Sequence, residues 1–195
     1  MDLFERYPQL NTCAEDIENA LSLMIDTYNK GGKILVCGNG GSAADADHIV
    51  GELMKGFKLP RKVTDEKIPQ ELREKLQGAL PAISLCAHTS LMTATINDND
   101  ADMIFAQQVY AYANENDLLI AISTSGNSKN VMNAVKVAKA LDVKVIALTG
   151  ETGGALKEMA DVTICAPSNE TYKIQEYHLP VYHWLCAKVE EYFYK

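Results

Sequence analysis

Two short stretches hold residues that could move protons or hold a metal ion. "VCGNGGSAADADHIVGEL" (36–53) carries His48 and, four residues on, Glu52; "QEYHLPVYH" (175–183) carries Gln175, His178 and His183. Residues four apart on a helix project from one face, so His48 and Glu52 can converge on one ligand or one metal ion. A carboxylate beside an imidazole is also the equipment of general acid–base catalysis. Isolated pairs of this kind are common on solvent-facing helices; this helix, however, starts from a glycine turn directly after an apolar run. His178 reads instead as a partly buried histidine satisfied by hydrogen bonds.

Two polar turns could receive an anion: "GNGGS" (38–42) and "STSGNS" (123–128), each joining an apolar run to a helical segment. In the second, Ser123, Thr124, Ser125 and Ser128 can surround a phosphate with hydroxyls while the following helix offers unpaired N–H groups and its positive end. Neither turn is followed by the Gly-Lys-Ser/Thr of a Walker A loop, and "GNGGSA" is not the full dinucleotide fingerprint. Nucleoside triphosphates and NAD are disfavoured.

The elements that must position these residues alternate. Apolar runs at 33–37, 81–86, 117–123, 143–150 and 162–167 read as strands covered on both faces. Helical segments are expected at 12–30, 43–57, 101–115, 128–141, 154–160 and 170–194. The alternation predicts an α/β three-layer sandwich: a five-stranded, mostly parallel sheet between helices, with long N- and C-terminal helices. Ligands in such sheets gather at the carboxyl ends of the strands. Residues 58–80, charged and carrying two prolines, interrupt the pattern as an inserted loop or flap with a short helix at 69–76.

At 195 residues the chain is expected to form one domain, 1–195. A net charge of -8 argues against a nucleic-acid surface, and the brief basic cluster "KLPRK" (58–62) reads as a solvated loop. No apolar run approaches a membrane span and the N-terminus fits no secretory signal, so a cytoplasmic location is expected. Five cysteines without close pairing read as reduced core residues.

Taken in order, "GNGGS", the H-x-x-x-E pair, "NDND" (97–100), "ISTSGNS" (122–128), "ALTG" (147–150) and the terminal Q-x-x-H-x-x-x-x-H resemble the sugar isomerase (SIS) domain, and within it the phosphoheptose isomerase family. The resemblance spans nearly the whole chain. It implies a flavodoxin-like or Rossmann-like fold and interconversion of sedoheptulose 7-phosphate with D-glycero-manno-heptose 7-phosphate, a step toward heptose precursors, in a cytoplasmic homotetramer. It also implies roles. Asn39, Gly40, Gly41, Ser42, Asn97, Asp98 and Gln175 would contact the sugar, together with Glu52, while Ser123, Thr124, Ser125 and Ser128 hold the phosphate. Glu52 would be the base and His183 the acid; His48, Glu52, Gln175 and His183 would hold one zinc ion per active site.

Gln175 and His183 are eight residues apart, roughly 12 Å along a straight helix, with Pro180 between them to kink it. One chain would struggle to bring both to one ion, so the complete site is expected to be shared between subunits. Two features depart from the family's pattern: Tyr172 stands where an acidic residue is common, and the 58–80 segment is long. Two other readings stay open at this point. One is an isomerase for another sugar phosphate; the other is a non-catalytic SIS regulator similar to the DnaA-initiator-associating protein, which lacks residues matching Glu52 and His183.

Overall fold

The computed structural model describes residues 3–195. A short helix α1 (Leu3–Arg6) and a 3-10 turn (Pro8–Cys13) lead into α2 (Ala14–Asn29), β1 (Ile34–Gly38) and α3 (Gly41–Met54). After α4 (Gln70–Arg73) come β2 (Ala82–Ser84), α5 (Thr89–Asp98), α6 (Ala106–Tyr112), β3 (Leu118–Ile122) and α7 (Lys129–Ala140). The chain ends with β4 (Lys144–Thr149), β5 (Val162–Cys165) and α8 (Thr171–Tyr194).

All five strands pair in parallel, in the order β2-β1-β3-β4-β5. Strand alternation divides the core. Ile34, Val36, Leu118 and Ile120 face α2, α3 and α8, whereas Leu35, Cys37, Leu119 and Ala121 face α6 and α7. Every residue of β1 and β3 is buried, which is why these runs read as continuously apolar. In α2 the buried residues Ile17, Ala20 and Met24 form one stripe, and the chain leaves the helix through Gly31 at φ +74°.

The expected three-layer sandwich is present, and its sheet is parallel throughout. This strand order reverses direction between β1 and β3, the topological switch point where open α/β sheets bind ligands. The loops after those two strands are the two polar turns.

Four expectations need correction. Thr89–Asp98 is helical although no helix was expected there: only Thr95 is buried, so no apolar stripe marks it in the sequence. The helix expected at 101–115 is instead a 3-10 turn, Ala101–Met103, followed by the shorter α6. The short segment near 154–160 is a 3-10 turn, Gly154–Glu158. Finally, "KLPRK" is not simply a solvated loop. The Arg61 side chain is fully buried against that of Glu190, its Nε donating to Oε1 at 2.7 Å, and Glu190 also accepts the backbone N–H groups of Phe57, Lys58 and Leu59. A charge reads as solvated when its counter-charge lies 129 residues away.

No helix among the described residues is long and apolar enough to cross a membrane.

Candidate active site

Helices α3 and α8 lie side by side, and their contacts advance together along both. Gln175 lies against Gly41, Tyr182 bonds to His48, and Glu190 receives the chain that leaves α3. The two helices therefore run parallel. α8 continues through Pro180 without ending.

This pairing brings His48, Glu52 and His183 together. One donor atom from each lies within 4.8 Å of the others. His48 Nε2 is 3.2 Å from Glu52 Oε1 and 3.3 Å from His183 Nε2. Glu52 is largely withdrawn from solvent, with 13% of its side chain exposed; its buried Oε2 has no hydrogen-bond partner and pairs with the Lys55 ammonium at 3.6 Å. Burial, helped by His48, pushes the His183 imidazole below its ordinary pKa despite Glu52, a shift that favours its neutral form. Two imidazoles and a carboxylate are donors of the kind that could hold a metal ion such as zinc with a position left open.

The cluster opens on the surface, the His48 side chain being 42% exposed. Two cavities of about 450 and 580 Å³ lie elsewhere, one beside His88 and Gln108, the other beside Cys13 and Asp16.

Gln175 is not beside His183. It packs on Gly41, where a Cβ would come within 2.6 Å of its Nε2, at the opposite end of α3. From Gly41 to His48 is seven residues, roughly 10 Å of helix. The separation read from the sequence is thus retained in the fold.

The two polar turns meet at the switch point. Asn39 and Asn130 exchange reciprocal amide hydrogen bonds of 2.9 Å, tying the loop after β1 to the first turn of α7. Gly40 initiates α3 at φ +57°, a conformation that L side chains rarely adopt. In the second turn Ser123 Oγ donates to Ser128 Oγ at 3.0 Å, and the backbone folds tightly enough that a Cβ on Gly126 would lie 2.0 Å from the Gly153 carbonyl oxygen. Ser42 is buried, Thr124 and Ser128 half-buried, and Ser125 exposed, its Oγ accepting the Asn127 N–H. Asn97 and Asp98 end α5, exposed and bonded to one another at 2.7 Å.

Sequence reasoning missed three residues. Asn130 has no motif signal. Tyr182 reads as one more aromatic in an apolar helix, yet its hydroxyl lies 3.1 Å from Asp45 Oδ1 and 3.0 Å from His48 Nδ1. Asp45 precedes His48 by three residues, a helical spacing that could have suggested a shared face. His178, expected to be partly buried, is fully buried; its Nε2 bonds the Thr149 carbonyl at 3.0 Å while Nδ1 has no partner.

Comparison with known proteins bears on the whole chain. Residues 5–150 match the model of the SIS domain. A phosphoheptose isomerase from Aliarcobacter butzleri is 43% identical over 181 residues, covering 93% of this chain and 87% of that protein. Among solved structures, a phosphoheptose isomerase from Francisella tularensis superimposes with a TM-score of 0.81 at 36% identity, covering 95% of this chain and 91% of the other. That from Neisseria gonorrhoeae gives 0.76 at 39% identity, with 91% and 87% covered.

Proposed function

Because this chain belongs to the phosphoheptose isomerase family of SIS-domain proteins, we propose that it interconverts sedoheptulose 7-phosphate and D-glycero-manno-heptose 7-phosphate. It is an enzyme, a sugar-phosphate isomerase. The observation that carries the finer reading is the convergence of Glu52 and His183 from two helices, one of them the α3 that the glycine turn at the switch point launches.

A ketose-to-aldose shift takes a proton from C1, passes through an enediolate, and returns a proton to C2. Glu52 Oε1 lies 3.2 Å from His48 Nε2, while Oε2 accepts no hydrogen bond and has the Lys55 ammonium at 3.6 Å, so Oε2 would take the C1 proton and hand it back at C2. The neutral His183 imidazole would donate to O2 as negative charge develops there and recover the proton from O1. Ser123, Thr124, Ser125 and Ser128 would hold the phosphate, fixing the distance from anchor to reacting carbons. Asn39, Gly40, Gly41, Ser42, Asn97, Asp98 and Gln175 would contact the sugar chain.

The donor set around Glu52 fits zinc, held by His48, Glu52 and His183. A bound ion would supply Lewis-acid stabilisation of the charge on the sugar oxygens. Gln175, paired with Gly41 in its own chain, would complete the set from a second copy, in keeping with a cytoplasmic homotetramer whose sites are shared. Full activity in an obligate monomer would overturn this part.

The test is to incubate the purified protein with sedoheptulose 7-phosphate and follow the aldose anomeric proton by NMR. Turnover is expected, and Glu52→Gln should lower kcat by roughly 10²–10⁴-fold with the fold intact. No turnover with or without added zinc overturns the substrate assignment, and conversion of a pentose or hexose phosphate instead would replace it. Unchanged activity in Glu52→Gln removes the base.

A further inference from the structure

The Tyr182 hydroxyl sits between two groups that both could take its single proton. Asp45 Oδ1 is 3.1 Å away and His48 Nδ1 is 3.0 Å away. Tyr182 is 2% exposed, so water does not compete freely for the hydroxyl. An ionised carboxylate only accepts hydrogen bonds, whereas a neutral imidazole offers one donor and one acceptor and a tyrosine hydroxyl does both. Asp45 Oδ2 is itself buried without a partner, and Tyr182 is the side-chain donor the carboxylate has. The arrangement that satisfies all three groups sends the tyrosine proton to Asp45. The hydroxyl oxygen is then left to accept from His48, which must carry its proton on Nδ1.

We propose that Tyr182 and Asp45 are positioning residues that hold His48 as the Nδ1–H tautomer, so that its unprotonated Nε2 faces Glu52 and His183. The opposite tautomer would set a proton on Nε2, into the gaps of 3.2 Å to Glu52 Oε1 and 3.3 Å to His183 Nε2. In that state the nitrogen could hold no metal ion, and its proton would occupy the carboxylate. Outer-shell partners of this kind fix both the tautomer and the ring orientation of a ligating histidine. The rings support the second role: Tyr182 meets His48 edge-on, at 5.5 Å and 71°, and His183 at 5.0 Å and 80°. A buried tyrosine immediately before His183 on α8 thus acts across the helix pair on α3.

The inference rests on reading His48 as part of the reaction centre, and its test reads the imidazole in metal-free protein without turnover, so the two can fail separately. Uniformly 15N-labelled protein, metal-free and at a pH where His48 is neutral, is examined by long-range 1H–15N correlation, which distinguishes protonated from unprotonated ring nitrogens. Unaltered protein should show His48 protonated on Nδ1. Asp45→Ala frees the tyrosine proton for His48 and should invert the tautomer to Nε2–H. Asp45→Asn, whose side-chain carbonyl can still accept from Tyr182, should restore Nδ1–H. Tyr182→Phe should abolish the fixed preference and weaken zinc binding, measured by chelator competition, by roughly 10–100-fold. A packing role alone would lower the melting temperature of these variants without moving the tautomer. His48 keeping Nδ1–H in Asp45→Ala, or carrying its proton on Nε2 in the unaltered protein, overturns the proposal.

Discussion

Replacing Glu190 by Gln changes one atom's chemistry at a place where four donors converge. Oε1 accepts the Phe57 N–H at 2.8 Å and Arg61 Nε at 2.7 Å; Oε2 accepts the N–H groups of Lys58 at 2.7 Å and Leu59 at 3.0 Å. A glutamine amide keeps one oxygen, so whichever way it turns, its NH2 confronts two donors and two hydrogen bonds are lost. The Arg61 guanidinium, fully buried, also loses its counter-charge. Removing one partner of a buried ion pair costs about 3–5 kcal/mol, much of it the penalty of the stranded charge. For a chain of 195 residues that corresponds to a melting temperature lower by roughly 10 °C.

The consequence should reach the active site. Arg61 also donates through Nη1 to the Leu53 carbonyl and through Nη2 to that of Glu52, capping the end of α3 that bears the proposed base. The assay is urea denaturation at pH 7 followed by circular dichroism, at one protein concentration because an oligomer's stability depends on it. The neighbouring Glu191→Gln is the control. Its ion pairs to Lys188 and Lys195 are solvent-exposed, so its denaturation curve should overlie that of the unaltered protein. A loss below about 1 kcal/mol in Glu190→Gln would refute the buried-clamp account.

Two other perturbations have signs fixed by the structure. Burial pushes the His178 imidazole down to about 4, against the raising effect of its bond to Thr149, so the folded protein holds it neutral while the unfolded chain takes up a proton below about 6.5. Its contribution is unaffected above that value and is lost as pH falls toward 4. Between pH 7 and pH 5 about 2 kcal/mol should disappear, and the same pair of denaturation curves for His178→Gln should lack that loss. Gly126→Ala places a Cβ 2.0 Å from the Gly153 carbonyl at φ +66°; it should destabilise by roughly 3 kcal/mol and raise KM for the phosphorylated sugar, and an unchanged KM would separate this turn from phosphate binding.

How far these features could be read from the sequence depended on whether their causes were local. The strands were legible to within a few residues because burial on both faces leaves unbroken apolar runs, as in "ILVCG" and "LLIAI". His48 and Glu52 were legible because their partnership is a single helical step. Arg61 was not, since its partner is supplied by α8. Nor was α5: it buries one threonine, and Thr93 and Thr95 turn their hydroxyls back onto carbonyls of their own helix, leaving no period to detect. The strand order β2-β1-β3-β4-β5, which brings Asn39 to Asn130, is written in no single segment.

The parallel run of α3 and α8 connects these observations. Gln175 at Gly41, Tyr182 and His183 at His48, and Glu190 beyond Met54 are three contacts along one helix pair, spaced seven or eight residues apart on α8. Two turns of helix are about 7.2 residues, so all three contacts fall on nearly the same face of α8. A shift of α8 by one residue would rotate that face by about 100° and disengage all of them at once. The Glu190–Arg61 clamp at one end therefore helps set the distance between Glu52 and His183 at the middle, although neither clamp residue touches the reacting atoms. The same register that aligns Glu52 with His183, the proposed acid–base pair, holds Gln175 roughly 12 Å along the helix from His183. An ion needing Gln175 as well as that pair must draw on a second copy of the chain, so assembly and catalysis would be coupled through the geometry of one helix pair.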